Sequence, residues 1–228
     1  MGGVVMERRR MMMGGTGTVA RYIEDGLVFW LDGIDKGNST TNWVDLIGGV
    51  TFNVGSAKLS TYGYVQFNGS DVYTASSNVN YNVSSSTIEV CISNINNTNA
   101  AGSAFYGPQD KSISFWIRRS SSSKYIGCSV GTYGNTGYNT KFLDAVPPTT
   151  IICSMTENRG VLNGNVLTDF TKSNWGATGK TYIGGRLNGS SKEYGLTGRI
   201  HSIRIYNRIL TNTEMKYNQN ADKERFGL

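Results

Sequence analysis

From Gly26 onward, short apolar runs alternate with Gly/Asn/Ser-rich text. LVFWL (27–31) is a continuous apolar run bounded by turn residues, the pattern of a core strand. A polar loop, DGIDKGNSTTN (32–42), separates it from WVDLIGGVTFN (43–53), where Gly48-Gly49 marks a bend. YVQFNGSDVYTAS (64–76) alternates across an Asn-Gly turn, a hairpin signal. In STIEVCIS (86–93), Ile88, Val90 and Ile92 share one face, and Glu89, Cys91 and Ser93 the other. SISFWIRR (112–119) and KYIGCSVG (124–131) read as a hairpin joined by Ser120 to Ser123. Residues 147–170 hold a strand, a turn and a short strand pair around Asn163-Gly164. KTYIGGR (180–186) and GRIHSIRIYNRIL (198–210) are the last strong strands. In the second of these, Ile200, Ile203, Ile205 and Ile209 change phase once, which points to a bulge or a bend.

One segment departs from the two-residue period. LTNTEMKYNQNADKERF (210–226) opens with Thr211 followed three residues later by Glu214, the spacing of a capping box. A short C-terminal helix is expected there. Many short strands with frequent turns indicate an all-β fold, a two-sheet antiparallel sandwich. The length of 228 residues suits one such domain, over residues 22–228. Residues 1–21 have no period and read as a flexible or partner-ordered arm.

Composition agrees with this picture. The chain has 29 Gly and 13 Tyr but only 3 Pro. Its 17% charged residues fall below the roughly 25% typical of soluble domains. The formal charge of +6 is uneven: Arg8, Arg9, Arg10 and Arg21 face only Glu7 in the first 21 residues. Setting those aside takes the 22 basic and 16 acidic residues to 18 and 15, a net of +3. A nucleic-acid reader would show a basic stripe through the fold, so nucleic acid is not an expected partner. Arg8, Arg9 and Arg10 form the one dense basic run. They read either as a solvated tail or as an electrostatic docking arm for a partner. No window approaches 18 consecutive apolar residues, and no apolar stretch follows the basic cluster as in a signal peptide. Synthesis and folding in a cytoplasm are therefore expected. Of the three cysteines, Cys91, Cys128 and Cys153, Cys91 and Cys153 sit in apolar strands and read as small buried side chains; a disulfide between two of the three is possible but not implied by spacing.

The sequence holds no recognisable catalytic constellation. Glycosidases need two carboxylates flanking the scissile bond, and Glu89 stands alone in its strand. A triad would need His201 with a nucleophile, but simple alternation turns Ser202 to the opposite face. No GxSxG, phosphate loop or zinc motif occurs, and no cofactor or metal is expected. Asp32, Asp35 and Asn38 could offer oxygens to calcium, yet a partner carboxylate is missing, and DGIDKGN reads as a solvated turn. A binding surface remains. Sugars are gripped by aromatic faces and by amide hydrogen bonds. Tyr133, Tyr138 and Asn139 in GTYGNTGYN, with Asn174 and Trp175 in KSNWGATG, are the candidate carbohydrate-binding residues. The alternative for each is packing on the core edge or loop backbone. Trp30, Trp43 and Trp116 lie in strand text and are expected in the core.

Several of these segments, in order, resemble the laminin-G-like, concanavalin-like jelly-roll family in its microbial and phage branch. GLVFWLDG (26–33) resembles its opening strand and NWVDLIGG (42–49) its W-x-D-x-x-G segment. YVQFNGSDVY (64–73) and RGVLNGNVL (159–167) resemble its two Asn-Gly hairpins. LTGRIHSIRIYNRILTNTEM (196–215) is similar to its closing segment and is the most specific match. The ending YNQNADKERFGL (217–228) is similar to tails of gut-bacterial phage and prophage proteins. Relatives often carry an acidic pair at the start of the closing strand, which in some helps hold calcium; His201 and Ser202 stand there instead. The resemblance implies a jelly-roll sandwich working as a non-catalytic virion surface module: a head fibre, decoration or tail-adhesion protein assembled in the bacterial cytoplasm. Its expected partners are other virion proteins, through the arm, and a bacterial surface glycan. Two other readings stay open, a glycan-active enzyme with dispersed catalytic residues and a purely structural virion protein. Both a monomer and a homo-oligomer are compatible with the sequence.

Overall fold

The structure, a computed structural model, describes residues 21–37, 39–55, 58–59, 63–79, 81, 85–96, 101–106, 112–119, 124–131, 150–156, 159–167 and 180–228. Within them the strands are β1 (Leu27–Asp32), β2 (Asn42–Val44), β3 (Thr51–Asn53), β4 (Val65–Asn68), β5 (Tyr73–Thr74), β6 (Thr87–Ser93), β7 (Ala101–Tyr106) and β8 (Ser112–Arg119). They continue as β9 (Lys124–Gly131), β10 (Ile151–Met155), β11 (Gly160–Leu162), β12 (Asn165–Leu167), β13 (Tyr182–Ile183), β14 (Arg186–Asn188), β15 (Ser191–Glu193) and β16 (Thr197–Tyr206). Helix α1 (Asn212–Phe226) ends the chain.

Two antiparallel sheets form the sandwich. A seven-stranded sheet runs β1-β16-β6-β10-β11-β12, with β4 beside the first half of β16 and β1 beside the second. A five-stranded sheet runs β5-β13-β7-β8-β9. The core lies between them. Ile88, Val90 and Ile92 of β6, Ile151, Cys153 and Met155 of β10, and Phe29 and Leu31 of β1 point inward. Ile183 joins them from the facing sheet. Strict alternation then sends Glu89, Cys91, Ile152, Ser154, Arg204 and Tyr206 to the outer face of the seven-stranded sheet.

The phase change in β16 is a bulge. Ile200 pairs with Ile92 and Ser202 with Cys91, so His201 is the extra residue. This lets Ile200 and Ile203 both enter the core. It also overturns the simple alternation expected at His201 and Ser202. Ser202 Oγ reaches Asp222 of α1 and the His201 ring lies 5.0 Å from that of Phe226, so both face the helix.

The Asn68-Gly69 turn is not a hairpin within one sheet. β4 pairs with β16 while β5 pairs with β13, so this turn carries the chain from one sheet to the other. The bend packs backbone on backbone: a Cβ on Gly195 would sit 1.7 Å from the Gly69 carbonyl oxygen, which admits glycine alone. The Asn163-Gly164 turn does close a hairpin, with φ of 47° and 84° at its two residues. At the end of β16 the left-handed residue is Gly26, with φ 78°, whose carbonyl accepts the Asn207 N–H; Asn207 itself keeps a negative φ. Trp43 is fully buried opposite Phe52, as expected. Trp30 is not part of the inter-sheet core, because it pairs with Arg204 and stacks edge-on with Tyr22 on the outer face. The Trp116 side chain lies outside what the structure describes. Cys91 and Cys153 are buried thiols on opposite faces of the sheet, not a disulfide.

Helix α1 begins where the capping box predicts. Thr211 Oγ1 accepts the Glu214 N–H at 3.2 Å and Glu214 returns the bond to the Thr211 N–H at 2.8 Å. Arg208 grips the same carboxylate at 2.7 Å and, with the Thr211 bonds, holds its pKa down to about 2. The helix ends on Gly227 in the left-handed conformation, whose N–H caps Lys223.

Candidate functional site

The outer face of the seven-stranded sheet carries a sealed polar cluster. Its centre is Arg204 on β16, fully buried. Arg204 Nε donates to Glu89 Oε2 on β6 at 2.9 Å. Its Nη1 and Nη2 fork onto Asp222 of α1 at 2.7 and 2.6 Å, a bidentate pair. Nη1 also reaches Ser202 Oγ. Helix α1 presents amides to the remaining groups. Asn218 Nδ2 donates to Glu89 Oε2 and to Tyr206 Oη. Gln219 Nε2 donates to Ser154 Oγ, which donates to Glu89 Oε1. The chain just before β1 closes the top: Tyr22 Oη donates to Asp222 Oδ1 at 2.8 Å, and the Arg204 guanidinium lies 4.0 Å from the Tyr22 ring centre.

Two carboxylates here share one guanidinium, so the cluster is one charge short of balance when both are ionised. Burial pushes the Glu89 pKa up; Arg204 opposes that shift and the Asp222 charge adds to it. Burial alone would lower Arg204, but Asp222 and Glu89 outweigh it and hold the guanidinium charged. Glu89, Asp222 and Arg204 have essentially no solvent exposure. Acids held this way do not meet a substrate. They fasten a helix to a sheet.

A second buried pair lies at the bulge. His201 Nδ1 is 2.9 Å from the Gly63 carbonyl, which makes it the protonated nitrogen, so Nε2 accepts from Ser93 Oγ at 2.7 Å. Burial lowers the histidine pKa. The pair has the form of a serine and its base, yet both side chains are buried and the ring is packed by Tyr64 and Phe226. Its evident role is to join the Gly63 loop, β6 and β16.

The loop after β1 is not the solvated turn that its sequence suggests. Asp32 is fully buried. Its Oδ1 accepts the N–H groups of Ile34 and Asp35, and Oδ2 accepts from Arg225 of α1 at 2.9 Å. Asp35 accepts from Gly37 N–H. The Asp32 carboxylate is therefore committed to backbone and to Arg225. Asn38 lies outside the described residues, and among the described residues no three His, Cys, Asp or Glu side chains converge.

The candidate carbohydrate residues Tyr133, Tyr138, Asn139, Asn174 and Trp175, and the anchoring Arg8, Arg9 and Arg10, also lie outside the described residues. Register fixes where the chain enters and leaves the two aromatic segments. Gly131 pairs with Ser112, and Tyr182 with Tyr106, at one end of the five-stranded sheet. Ile151 and Leu167 lie at opposite ends of the seven-stranded sheet, opposite Ile92 and Gly160. One end of each segment is thus anchored at the same end of the five-stranded sheet.

Solved structures share the fold. A Trypanosoma rangeli sialidase in complex with sialic acid matches with TM-score 0.63 at 15% identity, over 88% of this chain and 33% of that one. A mutant of HCR/D matches with TM-score 0.65 at 15% identity, over 87% and 51%. The botulinum neurotoxin type G receptor binding domain matches with TM-score 0.63 at 14% identity, over 86% and 51%. This chain therefore spans about a third of the sialidase and about half of the other two. At such identities the likeness defines a β-sandwich and nothing narrower. No protein-family model and no curated protein matches this chain.

Proposed function

We propose that this chain is a non-catalytic virion surface module that binds a bacterial surface carbohydrate through its loops. The observation that carries the reading is the closure of the outer sheet face. Helix α1 covers Glu89 and Asp222 and ties both to Arg204, so the acids that converge are already committed. Contact with a ligand then falls to loops at the ends and edges of the sandwich. Tyr133, Tyr138 and Trp175 supply ring faces, and Asn139 and Asn174 supply amides. A solved receptor binding domain of the same fold supports a recognition role. The phage-like segment YNQNADKERFGL (217–228) and the Arg8-Arg9-Arg10 arm support attachment to a larger particle.

A bacterial glycan array tests the binding part. The full chain is expected to label a defined subset of glycans, and Trp175→Ala to weaken that binding about three- to tenfold, the worth of one stacked ring. A blank array with folded protein favours a purely architectural role. Full binding by Trp175→Ala removes this residue from the site.

A further inference from the structure

We propose that helix α1 and the segment before β1, residues 22–26, form a clasp that lifts from the seven-stranded sheet as one unit while the sandwich stays folded. This inference does not depend on the glycan reading. Its basis is the unlike chemistry of the two faces of that sheet. Between the sheets the core is built of aliphatic and aromatic side chains. Beneath α1, the helix contributes Asn218, Gln219 and Asp222 as buried groups, and Met215 and Ala221 are its buried apolar ones. The apolar cluster on this side is small: Val161, Tyr206, Leu210 and Met215, with Ile23 and Leu27 against it. Lifting the clasp returns Arg204, Glu89, Asp222 and the amides to water, and that hydration offsets much of the lost contact. Opening the inter-sheet core has no such compensation. Local opening therefore begins at the clasp.

The two halves of the clasp are tied to each other as well as to the sheet. Tyr22 Oη bonds Asp222, Ile23 N–H donates to Asn218 Oδ1, and Tyr206 Oη donates to the Ile23 carbonyl. When one half leaves, the other loses its partners, so they move together. Residues 22–26 continue directly from the arm.

Two cysteines report on this without any mutation. Cys91 lies on the outer face of β6 within the field of Asp222 and Arg204, and Cys153 lies in the inter-sheet core. The full chain is treated with N-ethylmaleimide in urea below the unfolding transition, and each site is read by peptide mass spectrometry. Cys91 is expected to be alkylated about tenfold faster than Cys153 or more, since its opening requires less of the molecule. Tyr22→Phe, which deletes a bond to Asp222 present only in the closed state, is expected to speed Cys91 severalfold and Cys153 by no more than the same factor, so that Cys91 stays the faster site. Equal rates at the two sites in the unmodified chain would overturn the clasp, because the whole molecule would then open as one. Faster labelling of Cys153 would overturn it as well.

Discussion

Replacing Arg204 with methionine is expected to cost about 3–5 kcal/mol of folding stability, because it leaves Glu89 and Asp222 buried without their cation. The lost bonds are four: one to Glu89, two to Asp222 and one to Ser202. Urea denaturation at neutral pH measures the change. A cost under about 1 kcal/mol would mean that the cluster is hydrated and behaves as a surface pair. Glu89→Gln is the informative contrast. It keeps an oxygen for Arg204 and Asn218 while removing the second negative charge. Burial raises the Glu89 pKa above the ordinary 4.5, so its contribution to stability is full below that value and is lost as pH rises through the folded pKa. The glutamine variant escapes that loss. Its stability relative to the natural chain is expected to climb as pH rises from about 4.5 toward neutrality.

The second large effect is expected at Trp43. Its ring is fully buried between the β2–β3 pair and the core, and its Nε1 donates to the Asp32 carbonyl at 2.9 Å. Trp43→Ala opens a cavity and orphans that carbonyl, for a cost of about 3–5 kcal/mol. Trp43→Phe keeps most of the volume and forfeits the hydrogen bond, for about 1–3 kcal/mol. The two variants together separate packing from hydrogen bonding, again by denaturant titration. If both changes cost under about 1 kcal/mol, Trp43 does not anchor this corner of the sandwich.

Much of this architecture is written in local text. RIYNR alternates cleanly, so the inward Ile205 and outward Arg204 and Tyr206 follow from period alone. The irregular spacing of Ile200, Ile203, Ile205 and Ile209 signals a break in the strand, but only the pairing of Ile200 with Ile92 and Ser202 with Cys91 places it at His201. What stayed hidden is chemistry that depends on a distant partner. Glu89 reads as solitary in its strand because Arg204 and Asp222 are 115 and 133 residues away. Asn218, Gln219 and Asp222 carry no local signal that a helix will bury and satisfy them. Asp32 suggests an exposed turn for the same reason: its cation is Arg225, at the far end of the chain. β15 is entirely polar, Ser-Lys-Glu, and leaves no hydrophobic trace. β7, AGSAFY, opens on small residues that carry little strand signal. The aromatics of GTYGNTGYN and KSNWGATG have no periodicity to place them, so the sequence supplies their chemistry alone.

The proposed recognition without turnover is tested most directly on the glycan itself. The full chain is incubated for many hours with an excess of the glycan that it binds best, and the recovered glycan is sized by chromatography. Unchanged chain length, alongside saturable binding in the same sample, is the predicted result. Shortened or desialylated product that scales with protein concentration would contradict it.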